Sequence, residues 1–257
     1  AAVDDLDLFP TKPPEREASP HYRRWAVESA GLDLALRQAG RSLGDVLGRT
    51  YDPVRFVVST RLDGDAARLE RLREHDPDAE FKLDPTEEWD DDLIAAVQTV
   101  GGVRVLDFKA FYEGTDVDSD PSPALYERLV AAFPDAVIED AAVDDGSRAV
   151  LESVVDRLAW DYPITGVESV EALPFEPRWL NVKPSRFGTV EALFDTVDWA
   201  IERDVSLYGG GQFELDGGRP QIQSLAGLLY PEGPNDVAPG GYNLPEPPAD
   251  LPTSPLA

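Results

Sequence analysis

Apolar positions along the chain follow two alternating periodicities. In YRRWAVESAGLDLALRQAG (22–40), Trp25, Ala26, Ser29, Leu32, Leu36 and Ala39 recur at helical spacing and Gly40 closes the run, which predicts an amphipathic helix. Downstream a unit repeats: a short β-branched or apolar run, a polar turn, then a helical pattern. The short runs are VRFVVSTRL (54–62), EFKLD (80–84), VRVLDFKA (103–110), AVIEDA (136–141), YPITGV (162–167), WLNVKP (179–184), VSLYGGGQFE (205–214) and PNDVA (234–238). Helical patterns fall at 66–75, 91–100, 122–133, 147–159, 189–203 and 219–230, with a weaker one at 169–173. Strands alternating with helices predict an α/β fold with a parallel sheet, and eight units predict a TIM-type (β/α) barrel. Residues 1–20 read as an extended lead-in, 21–243 as the barrel, and the proline-rich 244–257 as a tail.

Charge narrows the partners. Fifty Asp and Glu stand against 23 Lys and Arg, a formal net charge of -27. Such a chain is repelled by phosphate backbones and anionic bilayers, so neither nucleic acid nor a membrane is an expected partner. Self-repulsion of this size is tolerable in concentrated salt, where the Debye length falls to about 3 Å at 1 M. Acidic runs such as EEWDDD (87–92) and a lysine count of four fit a halophilic protein. Hydrophobic residues at 42% exclude an acidic disordered chain. Without cysteine, disulfides and thiolate chemistry are excluded, and cytoplasmic is the default compartment. A start at Ala1 and the lack of Met fit a processed or truncated segment.

The few lysines then carry weight. In a barrel of this kind the active site lies at the C-terminal ends of the strands. Lys82, Lys109 and Lys183 fall near the ends of the second, third and sixth predicted strands, and only Lys12 lies outside the barrel. Asp107, Glu139, Glu168, Glu214 and Asp236 follow the same geography. Period-two alternation points Asp107 with Lys109, and Lys82 with Asp84, to the same side. Gly217, Gly218 and Arg219 open a helix and offer converging amides plus a charge to an anion, and Ser185 and Arg186 follow Lys183 in a similar loop. His21 and His75 both lie away from strand ends, so a histidine base has no candidate, and no Gly-x-Ser-x-Gly is present.

RWAVESAGLDLALRQAGRSLGDVLG (24–48), FKLD, LDFK, VIED, NVKPSRFG and GGGQFELDGGR (209–219) together resemble the enolase superfamily, in its muconate-lactonising and o-succinylbenzoate-synthase-like branch. The resemblance implies a modified (β/α)7β barrel and a lyase or isomerase that abstracts the proton alpha to a substrate carboxylate. It also implies magnesium held by carboxylates on strands three, four and five, which neutralises the developing enediolate. Matched residue by residue, Asp107 and Glu139 are the first two metal ligands and Lys183 is the strand-six lysine. Glu168 is the third ligand by substitution, because Val167 stands at the expected Asp. Lys82 and Lys109 are the remaining catalytic lysines. Asp84, Ser185, Arg186, Gln212, Glu214, Gly218, Arg219 and Asp236 are placed against a small carboxylate substrate, and a homo-oligomer is allowed.

Three positions depart from the family pattern. Asp84 stands where a catalytic lysine is usual, Lys109 where an Asn is usual, and only about twenty residues precede the first helix where the family carries a capping domain, either removed from this chain or lacking in this protein. Two mechanisms follow: magnesium with lysine acid/base groups, or lysine charge in place of the metal. A Schiff-base lysine lyase and a non-catalytic binding or structural barrel are the alternatives.

Overall fold

In the computed structural model, residues 5–112, 122–212, 214 and 216–256 are described. Helix α1 (Ser19–Ala39) starts with Pro20 in its first turn and ends at Gly40, which takes the left-handed conformation at φ 62°. Helix α2 (Leu43–Leu47) opens on a capping box between Ser42 and Asp45. Seven parallel strands then pair in chain order: β1 (Val58–Thr60), β2 (Phe81–Leu83), β3 (Val103–Asp107), β4 (Val137–Glu139), β5 (Leu158–Trp160), β6 (Trp179–Val182) and β7 (Ser206–Gly209). The crossovers carry α3 (Ala67–His75), α4 (Asp91–Val100), α5 (Pro123–Ala132), α6 (Arg148–Glu152), α7 (Val167–Glu171), α8 (Pro184–Phe187) and α9 (Val190–Glu202), and α10 (Gly218–Leu229) follows β7. Side chains at their N-caps satisfy first-turn amides: Asp90 accepts from Leu93, Ser122 from Leu125 and Thr189 from Ala192.

Two predicted strands are corrected. The fifth strand is Leu158–Trp160 and not 162–167. The helix read across 147–159 stops at Glu152, and a 3-10 turn at Val155–Arg157 delivers a buried Leu-Ala-Trp run to the sheet. Burial on both faces erases the alternation that marks a strand, so the run read as helix. The predicted eighth strand reduces to two isolated parallel bridges, Asn235 with Phe56 and Asp236 with Gly210. This segment touches both edges of the curled seven-stranded sheet, an arrangement compatible with a (β/α) barrel. Asn235 is its fastener: Oδ1 accepts from Gly209 N at 2.6 Å, while Nδ2 donates to the carbonyls of Arg55, Tyr230 and Gly233 at 2.9–3.0 Å.

Two apolar layers position the site. The larger fills the space between sheet and helices. The smaller lies on the other face of the sheet, where Val105, Val137, Ala159 and Tyr208 meet with Trp179 against them. Two residues along from these inward positions, at the strand ends, come Asp107, Glu139, Asp161 and Asn181. The register fixes their heights: Asp107 pairs with Glu139, and Glu139 with Ala159. α1 packs on α8 behind this end. Gly188, at φ 76°, brings the backbone so near α1 that a Cβ there would meet His21 Cα at 3.2 Å.

Candidate active site

The strand ends gather a buried cluster of acids and bases. Lys82, from β2, donates to Glu139 Oε1 at 2.5 Å and lies 2.9 Å from Asp107 Oδ2. Lys109, just past β3, donates its ammonium to Asp107 Oδ2 as well, and its Nζ is 3.6 Å from Asp84 Oδ1. Glu139 also accepts from Asn181 Nδ2 at 3.1 Å and from Tyr208 OH at 2.5 Å. On the other side, Lys183 donates to Asp161 Oδ2 at 2.7 Å, Tyr112 OH to the same atom at 3.0 Å, and Arg186 Nη2 lies 3.4 Å from it. Asp140 accepts from the amides of Asp161 and Tyr162 at 2.9 Å. Lys109 and Asp140 both adopt left-handed backbone, φ 56° and 50°, at the turn that leaves each strand.

Enclosure sets the protonation pattern. Burial works against the charged form of Lys82, yet Asp107 and Glu139 outweigh it and hold the ammonium well above its ordinary range. Lys109 is likewise raised, with Asp107 and then Asp84 overcoming burial. Asp107, buried between Lys109 and Lys82, falls below the usual carboxylate range. Asp161 drops to about 2 because Arg186 and Lys183 outweigh its burial. The other acids move the opposite way. Burial and then Asp107 push Glu139 up to about 7, and burial takes Asp84 to about 6. Asp140 rises well above its ordinary value through burial and the neighbouring Asp161 and Asp107. Five acids thus share four basic side chains, and three of the acids, Glu139, Asp84 and Asp140, hold their protons more tightly than usual.

A divalent cation could take the place of those protons. Asp107, Glu139 and Asp140 each bring a carboxylate oxygen within 4.8 Å of the others, and this all-oxygen set is what a hard divalent ion takes. Asp161 Oδ1 is buried nearby without a hydrogen-bond partner, a further vacant acceptor.

Of the residues read from sequence, the structure brings Lys82, Lys109, Lys183, Asp84, Asp107 and Glu139 together. Arg186 joins them, and the amide of Gln212, in the orientation that satisfies both its atoms, accepts from Arg186 Nε and Nη2 at 3.1 and 2.9 Å. Ser185 is buried beside it with its hydroxyl unpartnered. Asp236 is near enough to bias Lys82 and Asp84. Others stand elsewhere. Glu168 is exposed in α7, and the carboxylate ending strand five is Asp161, missed because that strand was placed four residues late. Arg219 Nη2 donates to the Ala238 carbonyl at 2.7 Å, and Glu214 accepts from Gln212 N, with Gly218 packed on its side chain. Asp140 and Asn181 lie inside VIED and NVKPSRFG but were not singled out, and Tyr112 and Tyr208 carried no motif signal; once strand registers are assigned, inward alternation alone identifies Asn181 and Tyr208.

Comparison with known proteins gives the fold a context. The chain is similar to an enolase-superfamily member from Listeria innocua, with a TM-score of 0.67 and 20% identity over 84% of this chain and 59% of that one. It is also similar to the dipeptide epimerase from Methylococcus capsulatus complexed with Mg ion, with a TM-score of 0.66 and 19% identity over 84% and 65%. The chain therefore spans about three-fifths to two-thirds of the length of these structures. Among curated sequences, a putative pre-16S rRNA nuclease from Beijerinckia indica is 31% identical over 137 residues, 53% of this chain and 76% of that protein. The fold is that of enolase-superfamily proteins, and the extent of the family-model matches decides membership. Because those models cover residues 50–244 and 1–46, the chain belongs to the family described as domain of unknown function DUF8230, carrying its C-terminal and N-terminal domains respectively.

Proposed function

We infer that the chain abstracts the proton alpha to the carboxylate of a small organic acid, with epimerisation or another isomerase or lyase outcome, from a (β/α)7β barrel. One observation carries this reading: Lys183 and Asp161 pair at the ends of β6 and β5, in the same buried cluster as Lys82, Asp107 and Glu139. Lys82 and Lys109 are held as ammoniums by their acids, which suits them to stabilise charge. Lys183 is the proton-transfer group, and the Asp161 carboxylate counters the positive charge that Nζ gains on taking the proton. Arg186, 4% exposed, orders Tyr112 and Gln212 at the rim where a substrate carboxylate would enter.

Magnesium would be held by Asp107, Glu139 and Asp140, with Asp161 adjacent. Bound there, it would neutralise the substrate carboxylate and so acidify the alpha C–H. The magnesium in the Methylococcus structure supports the choice of ion. A salt-adapted, cytoplasmic setting fits the charge of -27. Among the described residues, no helix is long and apolar enough to cross a membrane.

The test is solvent-deuterium incorporation, followed by proton NMR, into dipeptides and N-acylated amino acids in molar KCl with magnesium. Exchange at the alpha carbon, abolished in Lys183→Ala with the fold intact, supports the reading. An unimpaired Lys183→Ala defeats it. The 31% match favours a second reading, since nucleases also cluster carboxylates around divalent ions. Against it stands the net charge, so cleavage of a precursor rRNA, lost in Asp107→Asn, is the result that would reverse the preference.

A further inference from the structure

Lys109 has two carboxylates within reach and is bonded to only one of them. Its ammonium donates to Asp107 Oδ2, an oxygen that Lys82 also approaches at 2.9 Å. Asp84 Oδ1 lies 3.6 Å from the same ammonium, is buried, and accepts no hydrogen bond. Asp107 is thus crowded with positive charge while the neighbouring Asp84 has only the longer ion pair and no hydrogen bond to its Oδ1. A divalent ion at Asp107 would add a third positive centre beside the Lys82 and Lys109 ammoniums, and in a buried site that repulsion is strong.

The geometry points to Lys109 as a tethered competitor for the cation. It occupies Asp107 when no metal is bound and moves to Asp84 when metal arrives. The inference rests on the reading of Asp107 as a metal ligand given above. Asp84 is then the second berth, which explains an acid just past the end of β2 beside the cluster. The shift is short, since both oxygens lie around one Nζ and only the flexible lysine stem has to rotate. In its second berth the ammonium stands beside Asp84 at the end of β2, opposite the oxygen set that the metal fills. Metal entry thereby determines where the charge of Lys109 is presented to the substrate.

The experiment is calorimetric titration of the full chain with magnesium, and with manganese as a second probe, in molar KCl. Lys109→Met removes the charge but keeps the length and supplies no hard ligand, and it is expected to tighten metal binding about tenfold. Lys109→Arg, which keeps the charge, is expected to stay within about twofold of the parent. Asp84→Asn removes the second berth and is expected to weaken binding about fivefold, an effect absent when Lys109→Met is also present. Equal, measurable affinities for the parent and Lys109→Met would overturn the inference and leave the metal site standing. An Asp84→Asn effect that persists without Lys109 would overturn the two-berth exchange. Absence of binding in every variant would remove both the inference and the metal reading beneath it.

Discussion

Lys183 and Asp161, 22 residues apart and on adjacent strands, meet at 2.7 Å with the carboxylate fully buried. Asp161, rather than Glu168, therefore ends strand five inside the cluster. Asp161→Asn is expected to lower alpha-proton exchange about 100-fold or more, because Lys183 loses the carboxylate that it donates to at 2.7 Å. Glu168→Gln, on the exposed helix α7, is expected to stay within about twofold. Parallel exchange assays on the two variants check the assignment, and a reversed ranking would restore the sequence-based ligand.

Tyr208 holds the far side of Glu139. Replacing it with Phe leaves Glu139 Oε2 buried without its donor, at an expected cost of about 1–3 kcal/mol. Chemical denaturation in high salt measures this, and an unchanged midpoint would show that the phenol hydrogen bond carries no net weight.

The helices were legible because their apolar spacing and caps are local. Predicted 91–100 is the observed Asp91–Val100, and 189–203 is Val190–Glu202 within a residue at each end. Strands three, four and six were legible because LDFK, VIED and NVKP keep a charged residue at the end of an apolar run, and that charge marks the mouth. Strand five failed on the same criterion. Leu158–Trp160 is only three residues long and follows an apolar stretch that carries helical spacing, so Asp161 looked like a loop residue. Asn235 shows a different limit, since its role as fastener depends on partners 180 residues away that no local pattern announces.

The metal-free protein should be more stable at pH 5.5 than at pH 8. Glu139 and Asp84, raised to about 7 and about 6, bind protons in the folded chain at pH values where the unfolded chain has released them. Stability therefore rises as pH falls through the folded values toward the ordinary carboxylate range. Asp161, lowered to about 2, acts in the opposite sense, but its contribution is fully present above about pH 4 and is lost only below it. Thermal melts with chelator at the two pH values measure the slope. Glu139→Gln is expected to flatten it, and a slope unchanged in that variant would place the titrating group elsewhere.

Asn235→Ala should loosen the junction between the two edge strands. It deletes an acceptor for Gly209 and a donor shared among three carbonyls, those of Tyr230 and Gly233 buried and that of Arg55 part-buried, for an expected loss of about 2–4 kcal/mol. Hydrogen exchange at the amides of Gly209 and Val57 should accelerate more than exchange in α5. Uniform acceleration would show that the junction does not open on its own.

Glu139 draws its three side-chain donors from Lys82, Asn181 and Tyr208, which lie 57, 42 and 69 positions away. A ribosome making this chain releases the acid well before the last of these donors exists. Until Tyr208 has emerged, the growing polypeptide keeps Glu139 in water, because no partial ring can shelter it. The order of synthesis thus postpones closure of the acid cluster until the strands from β1 to β7 are outside the exit tunnel.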